Sequence, residues 1–256
     1  MNRIERAGLE AYRAFYGEQA LEVGAAVVFH IPQAPDSPML NRVVGLGVDE
    51  PATEAALDEA LALLEGTRHY VAVTPGAEPP QLVEWLAKRG FEPGWGWMQF
   101  CRGVDELPAL ETELELVEVG SDQTADFARV VATGYGLPDA TLPLLGLAPV
   151  RPGWTFWLAL ADGEPAGAAA LHVGDGAAYL GFAATLPEHR GKGAQNALLA
   201  ARIRRAAEMG CDLVVTETGE RREGLSSNSY RNILRAGFVE QYVVANWVRS
   251  STGQNG

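Results

Sequence analysis

The sequence holds only two cysteines in 256 residues, Cys101 and Cys211, far apart and neither in a C-x-x-C pattern. That argues against a disulfide framework and makes a reducing cytoplasm the expected compartment. Histidine is scarce too. His30, His69, His172 and His189 are scattered, no Cys/His cluster has metal-ligand spacing, and no metal is expected. No apolar run is long enough to cross a bilayer, so no membrane is expected. The N-terminus MNRIERAGLEAYRAFYGEQ is charged and amphipathic, without the apolar core or cleavage site of a signal peptide. Basic charge is in deficit: 20 Lys and Arg face 33 Asp and Glu, a formal net charge of -13. Such a surface argues against nonspecific nucleic-acid binding, which rests on basic patches, and is compatible with cationic amines.

What is present suffices for a folded protein. Hydrophobic residues make up 47% and charged residues 21%, close to globular averages, and the length allows one large domain or two modest ones. The spacing of Ile4, Leu9, Tyr12 and Phe15 predicts a helix over 3–17. Strands are predicted at 25–31, 42–47, 69–74 and 95–101. Helices are predicted at 55–64, with Thr53 as N-cap, and at 81–89, ended by Gly90. Pro32, Pro35 and Pro38 mark a loop. Residues 104–110, acidic and carrying Pro108, read as a linker. Then come a strand at 114–119, a helix at 122–133 and strands at 154–161, 166–173 and 178–185. The hairpin dipeptides Asp162-Gly163 and Asp175-Gly176 join those last three strands. A helix at 194–209, a strand at 212–216, a helix at 227–236 and a strand at 241–248 follow, and the tail 250–256 is expected to be disordered.

This order carries a possible internal repeat. Strand Val43–Gly47, two helices around strand Tyr70–Val73, and Arg89-Gly90-Phe91 before a Trp-containing strand form one copy. Strand Tyr179–Ala183, two helices around strand Leu213–Val215, and Ala236-Gly237-Phe238 before a strand with Trp247 form the other. Aligned without gaps, Gly45 falls on Gly181 and Pro51 on Pro187. Any two αβ stretches share some of this order, and that simpler reading stands beside the repeat.

The strongest local signal is Leu186-Pro187-Glu188-His189-Arg190-Gly191-Lys192-Gly193-Ala194-Gln195, after a predicted strand and at the start of a long helix. Glycines there let the backbone approach a ligand. The N–H groups of a helix N-terminus, aided by its dipole, favour a diphosphate. Arg190 and Lys192 add local positive charge. The pattern is neither a Walker loop nor G-x-G-x-x-G; it is a diphosphate cradle or simply a glycine cap.

With that loop, the chain resembles the GNAT acetyltransferase superfamily, whose phosphate loop reads Gln/Arg-x-x-Gly-x-Gly/Ala. Arg190, Gly191, Lys192, Gly193 and Ala194 match its first five places, while Gln195 departs from the usual small residue. The resemblance extends over the order of elements from about 113 to 249, with Pro187-Glu188, Asn228-Ser229-Tyr230-Arg231-Asn232 and Gly237-Phe238. It implies an α/β (α+β) fold, with a mixed, mostly antiparallel central sheet flanked by helices, in two related halves. Residues 113–249 would be the catalytic half. Residues 1–105 would be a degenerate half without the phosphate loop, because the ungapped alignment sets Glu54-Ala55-Ala56-Leu57-Asp58-Glu59 against it. That half would support the other and shape an acceptor pocket; the alternative is an unrelated αβ domain.

The resemblance also implies acetyl-CoA as cofactor and an amine of a small molecule or peptide as acceptor. Backbone groups of Phe182, Ala183, Ala184 and Thr185, on a strand splayed from its neighbour, would pair with pantetheine. Asn228, Ser229 and Asn232 would line the other side of the CoA arm, although Ser227 or Asn228 is equally a helix cap. The family's usual acid, a Tyr four residues before the final Gly, is Ile233 here; Tyr230, one turn earlier, is the candidate substitute. Glu217, ending the strand beside the CoA strand, is the candidate base or else a solvated carboxylate. Trp154, Phe156, Trp95 and Trp97 are pocket or core residues. The function implied is N-acetyl transfer by direct attack. The alternative, which the residue at 233 favours, is a non-catalytic acyl-CoA-binding or regulatory protein. Nothing in the sequence indicates an oligomeric state.

Overall fold

Two dipeptides set the central meander. Asp162 and Gly163 take left-handed φ of 53° and 83°, and Asp175 and Gly176 take 47° and 72°. Two positive φ values in succession match the twist of a two-residue hairpin. These turns connect β7 (Trp154–Ala161), β8 (Glu164–Gly174) and β9 (Ala177–Thr185) into antiparallel ladders. The computed structural model to which they belong describes residues 2–109, 112–146, 151–222 and 228–249. The tail 250–256, the proposed cap Ser227 and the last linker residue Leu110 lie outside the described residues.

The chain divides into two units, one of Tyr16–Met98 with the chain from Tyr242 onward, the other of Asn2–Phe15 with Gln99–Gln241. The first contains β1 (Ala20–Val23), β2 (Ala26–Phe29), β3 (Arg42–Val44), α2 (Glu54–Leu63), β4 (Tyr70–Val73) and α3 (Leu82–Lys88). It also holds most of β5 (Phe91–Arg102) and β11 (Val239–Arg249). Its strand order is β1-β2-β3-β4-β11-β5. β3 and β4 run parallel, and β11 lies antiparallel to β4 with Trp247 opposite Val71. Thr53 caps α2, accepting from Ala56 N at 3.1 Å. Val28, Val43 and Val71 pack against Leu57, Leu64, Leu82 and Leu86 to form its core.

The second unit holds most of α1 (Arg3–Tyr16). To this it adds β6 (Glu115–Glu118), α4 (Thr124–Tyr135), α5 (Leu142–Gly146), the β7–β9 meander, α6 (Ala194–Glu208), β10 (Leu213–Gly219) and α7 (Asn228–Arg235). Strand order is β5-β10-β9-β8-β7-β6, with β9 and β10 parallel and the meander antiparallel. The sheet is therefore mixed and mostly antiparallel, as expected. α1 and α4 cover one face. A Cβ on Gly8 of α1 would meet the Tyr179 ring, and one on Gly134 of α4 would lie 2.6 Å from Ala184 Cβ. α6 covers the other face, because a Cβ on Gly167, next in the chain to the partner of Ala184, would meet Ala194 and Leu198. β8 is thus buried on both sides, with Ala168, Ala169, Ala170 and Leu171 fully enclosed.

The elements missed by the periodicity, β1 and α5, are short. β1 is four residues, turned by Gly24-Ala25 and not by an Asn-Gly or Asp-Gly pair. β5 starts at Phe91, earlier than expected, because Pro93, Gly94 and Gly96 mask the strand signal. α5 contains Pro143, tolerated in its first turn.

The alternation of β9 breaks once. Gly181 lies opposite Ala170 and Ala184 opposite Ala168, so three steps of β9 match two of β8. This is a bulge, and Phe182 within it takes φ of 51°, unusual for a bulky residue. The Arg202 side chain of α6, 1% exposed, reaches this point. Its Nη1 donates to Ala170 O at 3.0 Å and Gly181 O at 3.2 Å, and its Nε to Leu198 O at 2.9 Å. Burial lowers its pKa to about 10, which leaves it charged at neutral pH. Arg202→Ala is expected to destabilise the protein by about 3 kcal/mol, since buried carbonyls lose donors and a cavity opens. A lowered urea midpoint at constant slope would register this. Arg202→Lys, with one compact donor group, should recover less than half.

Candidate active site

The bulge lies one residue past the end of another ladder. The parallel register of β9 with β10 runs from Ala177/Leu213 to Leu180/Thr216, and Thr216 Oγ1 donates to Leu180 O at 2.9 Å where it ends. Phe182, Ala183, Ala184 and Thr185 follow, each partly exposed. Phe182 turns its ring onto Phe15 of α1, centroids 4.3 Å apart, and onto Trp154 at 5.5 Å.

At the end of β9, a short 3-10 turn over Pro187–His189 leads to the glycine loop. Gly191 and Gly193 take φ of 79° and 86°, and no described atom lies within 4 Å of a Cβ built on either. Gly193 is the N-cap of α6 and has no side chain to engage the first-turn N–H groups. Arg190 and Lys192 are exposed beside it, whereas Ala194 is buried. Gln195 faces α7, and its Oε1 accepts from Asn232 Nδ2 at 2.7 Å. That contact explains an Asn inside a helix. Asn228 and Ser229 are exposed at the start of α7, and Asn228 Oδ1 accepts from the Arg231 guanidinium. The structure therefore brings the loop and Asn232 together directly. A backbone with left-handed glycines, open space and a bare helix N-terminus fits the diphosphate of coenzyme A.

Glu217 lies just past the last β9–β10 pair and is half-buried. Its Oε1 accepts from Tyr12 Oη of α1 at 2.5 Å and Tyr179 Oη of β9 at 3.0 Å, and its Oε2 accepts from Gln99 Nε2 of β5 at 2.7 Å. The two phenol oxygens are 2.6 Å apart. Tyr135, at the end of α4, senses the same carboxylate. Desolvation around its hydroxyl pushes its pKa up to about 12, Arg202 opposes this and Glu217 adds to it. As a residue Tyr135 is nonetheless 36% exposed, so it offers ring surface to solvent.

Tyr230 has other neighbours. Its hydroxyl donates to Glu240 Oε1 at 2.6 Å, its ring meets Phe100 edge-on, and Arg221 covers its face at 4.2 Å. Burial and the Glu240 contact push its pKa up to about 12. Ile233, on the same helix, is 3% exposed and packed inward. Of the aromatic candidates, Trp154 and Phe156 are buried, with Trp154 Nε1 donating to Ala11 O at 3.0 Å. Trp97 donates to Tyr70 Oη at 3.2 Å, and Trp95 packs on Trp97 and Tyr70 in the first unit. Among the described residues there is no group of three or more His, Cys, Asp or Glu arranged to hold a metal ion.

Tyr12, Tyr179, Gln99 and Tyr135 were not legible as site residues. Tyr12 fits the apolar stripe of its helix, and Tyr179 sits in a buried strand. Gln99, a polar residue in an aromatic strand, was the one available signal.

Residues 132–225 match the profile of the acetyltransferase (GNAT) family. No curated protein matches the sequence. A solved GCN5-related N-acetyltransferase from Kribbella flavida superposes with a TM-score of 0.67 at 17% identity, covering 100% of this chain and 97% of that one. Another from Sphaerobacter thermophilus gives 0.63 at 14% identity, over 93% and 84%. A tandem GNAT protein from the clavulanic acid biosynthesis pathway gives 0.59 at 20% identity, over 93% and 83%. At these identities the likeness is one of fold. The stretch 132–225 thus resembles the acetyltransferase domain of the GNAT family, in a chain whose fold matches solved GNAT proteins along its length.

Proposed function

We propose that this protein transfers the acetyl group of acetyl-CoA to a primary amine of a small molecule or peptide, by direct attack of the amine. Family and fold support acyl transfer in general. The observation that carries the finer reading is the carboxylate of Glu217, held by three donors just past the point where β9 leaves β10. In this reading the N–H groups opening α6, with Gly191, Gly193, Arg190 and Lys192, bind the diphosphate. Backbone groups of Phe182–Thr185 orient the pantetheine arm, and Gln195 and Asn232 close its flank. When bound, acetyl-CoA supplies an activated acyl carbonyl and a good leaving group. Glu217 takes the proton that the amine loses. Net charge of -13 favours approach of a cationic acceptor.

Residues 113–249 then form the half that turns over, and 1–105 the degenerate half that shapes the acceptor side. In support, Tyr12 and Gln99 come from the first span and reach Glu217. Free thiols at Cys101 and Cys211 suit a cytoplasmic setting. The buried Ile233 favours one second reading, a non-catalytic acyl-CoA-binding or regulatory protein. A thiol-release assay with a panel of amines separates the two, since only transfer liberates free coenzyme A.

Gly193→Asp is expected to weaken acetyl-CoA binding about tenfold or more in calorimetry, because it sets a carboxylate and a Cβ beside the diphosphate. Unchanged affinity would make the loop a cap alone. Glu217→Gln should lower turnover roughly a hundredfold with acetyl-CoA affinity nearly unchanged. The deficit should shrink as pH rises, because more of the acceptor amine is already neutral. Full activity at neutral pH would remove Glu217 from the reaction.

A further inference from the structure

Three oxygens form a triangle at the end of β10: Tyr12 Oη, Tyr179 Oη and Glu217 Oε1. Its edges are 2.5 Å from Tyr12 to Glu217, 2.6 Å between the phenols and 3.0 Å from Tyr179 to Glu217. Each phenol carries one hydrogen and an ionised carboxylate carries none. Two hydrogens thus serve three contacts, and one edge at a time sets oxygen lone pairs against each other. A third proton removes that conflict. Oε1–H then donates to Tyr12, Tyr12 to Tyr179, and Tyr179 back to Oε1. The other carboxylate oxygen, Oε2, already has a donor, the Gln99 amide at 2.7 Å. The arrangement is built to receive one proton.

Resting on the acetyl-transfer reading above, we infer that Tyr12, Tyr179 and Glu217 act as a single proton acceptor, with Tyr12 as its entry. Tyr179 is 2% exposed, whereas Tyr12 is half-buried and makes the shortest contact to the carboxylate. The attacking amine forms its bond to the acyl carbon and loses a proton to Tyr12 Oη. The Tyr12 hydrogen passes in the same event to Glu217 Oε1. The C–S bond breaks with its electron pair on sulfur. The proton then returns along the same path to that sulfur, leaving amide, free thiol and the original cluster. No oxidant or reductant is involved. The acid that the family's usual position lacks at Ile233 is thereby supplied from the first helix of the chain. Tyr12 is the catalytic member, and Tyr179 and Gln99 are positioning residues.

The test uses the full chain, with acetyl-CoA and an amine found in the panel. Tyr12→Phe keeps the ring and removes the hydroxyl. Its kcat is expected to fall about tenfold or more, with acetyl-CoA affinity within about twofold of the parent, since the diphosphate site is untouched. Rates in mixed light and heavy water should curve with deuterium fraction in the parent, where two protons move together, and become linear in Tyr12→Phe. In the free protein, the short Tyr12–Glu217 contact should give a far-downfield hydroxyl proton in NMR, lost in Tyr12→Phe. Tyr179→Phe should lower kcat in the same direction and serves if Tyr12→Phe does not fold. Full turnover by Tyr12→Phe, a linear isotope dependence in the parent, or no downfield proton in the parent would overturn the relay alone. Absence of acetyl transfer by the parent would overturn the functional reading with it.

Discussion

The Arg202 guanidinium stands at the point on which the site depends. It is buried and charged, and it donates to three backbone carbonyls, two of which, Ala170 and Gly181, lie on neighbouring strands. Carbonyl dipoles fixed around a cation in a low-dielectric interior hold both strands in place. The bulge begins at that clamp. β10 pairing ends at Leu180, Phe182 turns onto Phe15, and the chain leaves β9 aimed at the glycine loop. A sheet with an uninterrupted β9–β10 ladder would satisfy its own backbone groups and have none to offer a ligand.

Charge is distributed with the same economy. On a strongly acidic chain, Arg190 and Lys192 sit exposed beside a helix N-terminus whose own dipole is positive. The carboxylate of Glu217 has its charge spread over two phenols and an amide. The positive field of the loop and the negative field of Glu217 therefore lie in the same unit.

The features written locally were legible in the sequence. Asp162-Gly163 and Asp175-Gly176 announce their turns because few residue pairs adopt two positive φ values. Gly191 and Gly193 announce the loop for a related reason. Thr53 was readable as a cap, and the long α6 and the β7–β9 meander followed from their spacing. The carboxylate cluster was not readable, because its members lie at positions 12, 99, 179 and 217 and only the fold assembles them. A phenol satisfies an amphipathic stripe much as leucine does, so Tyr12 read as core. The bulge was hidden as well, since it falls on Phe182 and not on a glycine. Tyr230 lay one turn from the family's acid position, yet its partner is Glu240, on the strand after its helix.

The first and last described elements each complete the unit more distant in sequence. α1, the first described element, lies mostly in the second unit, where Arg3 pairs with Asp212 and Trp154 reaches Ala11 O. β11, the last described element, lies mostly in the first unit, where it borders β4. A ribosome making these elements in order therefore holds an amphipathic helix until the strands it packs on are made, and a β4 edge without its neighbour until β11 is made. Such contacts have very large sequence separation, which slows folding. In the interval an open strand edge and an apolar helix face are exposed to other chains. Folding of the first unit cannot finish before β11 is made, and a truncated product lacking β11 would leave the β4 edge bare.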